Sequence, residues 1–88
     1  MRIRVVRTGG FAGRRREASL ETADRPDRTD LEELARVCAA EGHRAPPVGV
    51  PDGFSYRIEV DGHTTYCSDP RLSEAQRHLV TRLLREGA

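Results

Sequence analysis

The 88-residue chain predicts an α+β two-layer sandwich: a mostly antiparallel four-stranded sheet with two helices on one face, in the order β-β-α-β-β-α. Three observations carry this. Phe54, Tyr56, Ile58 and Val60 alternate strictly with polar residues; a glycine cluster breaks two further alternating segments near the start; and two stripes at helical spacing each follow a strand pair. The length suits one domain, residues 1–88, with a thin core between sheet and helices.

In the first strand, Met1 to Thr8, Ile3 and Val5 share one parity and Arg2 and Arg4 the other, as a strand with one buried face requires. Gly9 to Gly13 holds three glycines and reverses the chain. A second, edge strand is predicted from about Arg14 to Thr22, with Arg16, Ala18 and Leu20 on one parity and Arg15, Glu17 and Ser19 on the other. Thr29 with Glu32 fits a capping box, and Leu31, Leu34, Ala35, Cys38 and Ala39 then trace a helix to Gly42. His43 to Gly53, with three prolines, reads as an irregular loop.

Asp61-Gly62 turns the chain after the strand ending at Val60. A two-residue turn buries His63, Thr65 and Cys67, whereas a three-residue bulged turn buries Thr64, Tyr66 and Ser68. The bulged register is preferred because it places Tyr66 beside Ile58. The last helix starts near Asp69-Pro70 or at a Ser73/Gln76 cap. Leu72, Ala75, Gln76, Leu79, Val80, Leu83 and Leu84 form its apolar stripe, ending near Gly87. The order of strands in the sheet stays open.

Apolar residues make up 36%, charged residues 33% and aromatics 5%, the composition of a polar but folded chain. All 15 basic residues are Arg, and against 14 acids they leave a net charge of +1, without the basic excess of a general nucleic-acid binder. Residues 1–16 carry six Arg and no acid, whereas residues 17–41 carry three Arg against eight acids, a local balance of −5. A basic edge therefore faces an acidic shoulder. Arg2, Arg4, Arg14 and Arg16 are expected to cluster across the first hairpin, an arrangement open to RNA or single-stranded DNA or to an acidic protein partner. Nucleic-acid platforms normally add stacking aromatics, and only Phe11 is close in sequence.

The first residues lack the continuous apolar stretch of a signal peptide, and no run reaches the ~18 residues of a membrane span. Two cysteines, Cys38 and Cys67, make no disulfide framework, which points to the reducing cytoplasm. His43, His63 and His78 fall on a loop, a turn and a helix. With no Cys-x-x-Cys and no His pair four apart, no metal set or cofactor is expected. Ser19, Ser68 and Ser73 lack a nucleophile signature, and no catalytic residues are assigned. Gly9 to Gly13 lies between strands without a Gly-Lys-Ser/Thr ending, so it is no phosphate loop. Phe11 either folds back on the core or is presented to a partner.

The opening Met1–Arg14, and above all Gly9, Gly10, Phe11, Ala12 and Gly13 directly after the first strand, resembles the emfourin family, small bacterial inhibitors of thermolysin-like zinc metallopeptidases of the protealysin type. The resemblance continues through the acidic first helix, the Phe54–Val60 strand, the Asp61-Gly62 turn and the Leu-rich last helix. Arg14, Arg15 and Arg16 depart from the aliphatic strand that usually follows the last glycine, and Thr64, Thr65 and Ser68 make the fourth strand more polar than usual. The resemblance implies a non-enzymatic protein that binds over a peptidase's catalytic cleft, the zinc belonging to the partner. On that reading Gly9, Gly10, Phe11, Ala12, Gly13, Arg14, Arg15 and Arg16 contact the peptidase. Phe11 is the apolar anchor and the three Arg meet acidic residues at the rim. Zinc chelation by His63, His43, Asp61 or Cys67 ranks below simple occlusion of the cleft.

Overall fold

A computed structural model describes residues 1–9, 15–46 and 53–87. The elements follow the expected order: β1 (Arg2–Gly9), β2 (Arg16–Glu21), α1 (Arg28–Glu41), β3 (Phe54–Val60), β4 (His63–Ser68) and α2 (Glu74–Glu86). The sheet is antiparallel throughout, with strand order β2-β1-β3-β4, so β2 is an edge strand as expected. Directly opposed residues in antiparallel strands share a face, and the register therefore sorts every strand residue. Ala18, Val5, Ile58 and Thr65 make one row across the helix-covered face, and Leu20, Ile3, Val60 and His63 make the next.

Both helices lie on that face. Leu31, Ala35 and Cys38 of α1, with Leu79, Val80 and Leu83 of α2, close over Ile3, Val5 and Ile58, all nearly or fully buried. The helices are antiparallel and clamped at both ends. At one end the Ser73 hydroxyl donates to Glu41 Oε1 at 2.9 Å. At the other, Asp27 accepts from Arg25 Nε at 2.9 Å and from Arg82 at 2.6 Å, while Glu86 accepts from Arg25 at 3.0 Å and from Arg82 Nε at 3.1 Å.

That second clamp predicts an acid response. Hydrogen bonds from Arg25 and then Arg82 hold the Asp27 carboxyl well below its ordinary value of 3.8, and Arg82 and then Arg25 lower Glu86 below 4.5. Carboxyls that titrate lower in the folded than in the unfolded chain contribute stability that is complete above their ordinary values and is lost as pH falls through the depressed folded values. Urea midpoints should therefore fall as pH drops below about 4, and Arg82→Gln should flatten that fall. An equal acid slope in wild type and variant would count against the clamp.

Two local expectations are corrected. The turn is the two-residue form: Asp61 (φ 48°) and Gly62 (φ 85°) both adopt positive φ, Val60 faces His63, and no bulge intervenes. Asp-Gly favours the type I′ turn, whose twist matches the strands, and this outweighs the gain from burying Tyr66. Cys67 is buried instead, and Tyr66 lies on the opposite face, exchanging two 2.8 Å backbone hydrogen bonds with His43 along the outer edge of β4. Thr29 does not cap α1; the N-cap is Asp27, without a side-chain cap, because its carboxylate is committed to Arg25 and Arg82. Glu32 instead accepts from Thr22 at 2.7 Å and Arg28 at 2.9 Å. In α2 the Ser73/Gln76 capping box forms with both reciprocal bonds.

Candidate binding surface

Of the eight residues placed at a partner, Gly9, Arg15 and Arg16 are described, whereas Gly10, Phe11, Ala12, Gly13 and Arg14 lie outside the described residues. The two ends of the connection are well defined. Gly9 pairs with Phe54 at the end of β1, and the ladder resumes where Arg7 faces Arg16. Gly9 has φ +100°, and a Cβ there would stand 3.0 Å from the Gly53 carbonyl oxygen. This glycine is thus required both by its backbone angle and by close approach of the neighbouring chain. Gly9→Ala is expected to destabilise the protein by about 1–3 kcal/mol in urea unfolding. A change within ~0.5 kcal/mol would mean the strand end relaxes without strain.

The arginines divide between faces, which corrects the expected cluster. Arg2 and Arg4 lie on the open face of the sheet, and Arg16 lies on the helix-covered face. On the open face the guanidinium groups are largely neutralised in place. Arg4 reaches Glu17 at 2.9 Å and Glu59 at 3.2 Å, Arg15 reaches Glu17 at 2.9 Å, and Arg57 reaches Glu59 at 3.1 Å. Val6 lies among them, only 4% exposed although it faces away from the helices.

Arg16 takes a different partner, donating to the Leu84 carbonyl oxygen at 2.7 Å in the last turn of α2. A cation there satisfies a carbonyl that has no partner within the helix and sits at the negative end of the helix dipole. Arg7 continues the same row, between Arg16 and Tyr56. Its guanidinium carbon lies 4.2 Å from the centre of the Phe54 ring, while its Nε is buried and has no hydrogen-bond partner among the described residues. The sequence reading missed Arg7 even though its parity matches Ile3 and Val5. A charge on the buried parity, two residues before the glycine turn, was the signal available.

Neither cysteine suits catalysis. Burial pushes the Cys38 thiol up to about 12 and the Cys67 thiol up to about 11, so both are neutral at physiological pH. Among the described residues no group of three or more His, Cys, Asp or Glu is placed to hold a metal ion, and no helix is long and apolar enough to cross a membrane.

The family model described as Emfourin matches residues 5–84, nearly the whole chain. No curated protein and no solved structure matches.

Proposed function

The chain belongs to the emfourin family, and from that premise we propose that it is a protein inhibitor of a thermolysin-like zinc metallopeptidase of the protealysin type, binding over the catalytic cleft and blocking substrate access. The family match over residues 5–84 is the observation that carries the reading, because membership brings the general role of metallopeptidase inhibition. The protein has no catalysis of its own on this reading, and its zinc is the partner's. We place it in the bacterial cytoplasm.

The physical route runs through the first hairpin. Gly9, paired with Phe54, and Arg16, paired with Arg7, are separated by only six residues of sequence. A short connection tied at both ends loses little conformational entropy on binding, which favours tight association. Phe11 is the bulky apolar group within Gly9–Gly13, and thermolysin-like enzymes favour such a side chain just after the scissile bond. Seated in that pocket, it would occlude the cleft, while the flanking glycines permit close backbone approach.

Geometry argues against direct chelation of the peptidase's zinc. Asp61 and His63 stand at the end of the sheet opposite Gly9, and His43 lies on the β4 edge. Cys67 is buried with its thiol pushed up to about 11, so it offers no thiolate. Among the described residues, no three of these groups come together to hold a metal ion. A nucleic-acid module is disfavoured by the ion-paired open face, where Arg4, Arg15 and Arg57 already have carboxylate partners.

Titration of a purified thermolysin-like peptidase tests the proposal. Stoichiometric loss of peptidase activity, with this protein recovered uncleaved, is the expected result. Full activity in the presence of excess folded protein would overturn it.

A further inference from the structure

Beside the first hairpin, between the end of the sheet and the last turns of α2, lies a depression of about 330 Å³ lined by Arg7, Arg16, Tyr56, Val80, Leu84 and Arg85, together with Thr81. Three arginines line this concavity and, among the described residues, no Asp or Glu does. Arg4, Arg25 and Arg82, by comparison, are satisfied by Glu and Asp at 2.6–3.2 Å. Here the contrast is sharp. Among the described residues, Arg7 Nε is buried with no partner, Arg16 is satisfied by a helix carbonyl rather than by an acid, and Arg85 reaches only Glu86, at 3.6 Å. That carboxylate is already held at shorter range by Arg25 and Arg82.

A buried donor without a partner costs free energy. The Arg7 guanidinium lies against the Phe54 ring. The geometry points to a carboxylate-receiving site for an acidic side chain, Asp or Glu, on the peptidase partner. Arg7 supplies the preorganised donor, and Arg85 and Arg16 supply the flanking positive charge. Guanidinium forks match carboxylates in a bidentate manner, and the partly apolar floor of Tyr56, Val80 and Leu84 strengthens the pairing by limiting water. The site lies at the end of the sheet where Gly9 closes β1 and Arg16 opens β2, the two residues that bracket Phe11 in sequence. This inference rests on the inhibitor reading for the identity of the partner but not for the existence of the site.

Two measurements separate the claims. In the first, the Arg Nε–Hε resonances of nitrogen-15-labelled protein are followed while a short Glu-containing peptide is added. The Arg7 cross-peak is expected to move saturably, while those of the ion-paired Arg25 and Arg82 stay still, and Arg85→Gln should weaken the effect. No saturable movement at Arg7 overturns the site, whether or not the protein inhibits anything. Tighter movement with a single-stranded oligonucleotide than with the peptide assigns the site to nucleic-acid phosphate and overturns the proposal.

In the second, inhibition constants are compared for wild type, Arg7→Gln, Arg85→Gln and the open-face variant Arg57→Gln. Arg7→Gln is expected to weaken inhibition at least ~10-fold, as loss of one member of a desolvated charge pair does. Arg85→Gln should weaken it less and flatten its salt dependence, and Arg57→Gln should leave it unchanged. Arg85 is 69% exposed, so its variant keeps the test decisive should Arg7→Gln perturb folding. Undiminished inhibition by both Arg7→Gln and Arg85→Gln overturns the carboxylate site and leaves the inhibitor reading standing. Wild type without inhibition removes that reading, and the resonance titration still decides the site.

Discussion

On the proposed inhibitor reading, Phe11→Ala is expected to raise the inhibition constant against the target peptidase by about 30-fold or more. The magnitude follows from how binding energy is distributed. A few bulky side chains in desolvated pockets carry most of it, each worth about 2 kcal/mol or more, and their neighbours mainly exclude water. Within Gly9, Gly10, Phe11, Ala12 and Gly13 only Phe11 has a side chain larger than a methyl group, so the run offers no second anchor. Phe11→Leu separates a pocket from a general apolar contact. Leu still fills an apolar pocket and should recover most of the affinity, whereas Phe11→Asp should lose more than the alanine variant, since it places a charge where water is excluded. Inhibition by Phe11→Ala equal to wild type would remove the anchor and shift the binding energy to the arginine-lined depression and the strand end.

What the sequence alone made legible, and what it did not, divides along the range of the forces involved. β3 could be read residue by residue, because Tyr56, Ile58 and Val60 obey a period of two that depends on nothing outside the strand. The helical stripes and the Ser73/Gln76 cap were likewise local, since each contact spans a turn or less. The strand order β2-β1-β3-β4 was not legible, because the pairing of β1 with β3 joins residues about fifty apart and no short-range pattern encodes it. The Asp61-Gly62 register went astray through a contest of two effects. Burial of Tyr66 was weighed above turn geometry, yet the positive φ at both turn residues decided the outcome. Thr29 misled for a similar reason, since a capping box is a local signal and the Asp27 and Glu32 carboxylates were drawn to partners in other elements.

The candidate surface shows the same division. Gly9 could be picked out as a turn glycine, but the need for glycine there also comes from Gly53, which is distant in sequence. Arg14, Arg15 and Arg16 drew notice as a run, yet in the fold Arg15 is neutralised by Glu17 and Arg16 serves α2. Arg7, whose buried Nε has no hydrogen-bond partner among the described residues, is made conspicuous only by the combination of its parity, the Phe54 ring beneath it and the absence of acids in the row it shares with Arg16, Tyr56 and Cys67. A charge is informative only once its neighbours are known, and those neighbours come from three other strands and α2.

Leu79→Ala is expected to be the most damaging single change to the fold, costing about 2–5 kcal/mol. Leu79 is fully buried on α2 and belongs to the cluster that includes Ile3, Val5, Ala35, Cys38 and Ile58. Removing its isobutyl group loses the transfer free energy and leaves a cavity, because the β-branched side chains of the sheet beneath cannot collapse into it without shifting strands held by ladder bonds. At this chain length total stability is only about 4–13 kcal/mol, so one such cavity consumes a large part of it. For a domain of this size the same change should lower the melting temperature by roughly 10–30 °C. Val37→Ala is the control: Val37 lies on the outer side of α1, 42% exposed, and its truncation should stay within about 0.5 kcal/mol of wild type. Urea unfolding of both variants alongside wild type decides the matter. A loss below about 1 kcal/mol for Leu79→Ala would mean the two helices can slide together over the sheet, and the layer between them would then be a tolerant contact rather than the interlocked core its burial implies.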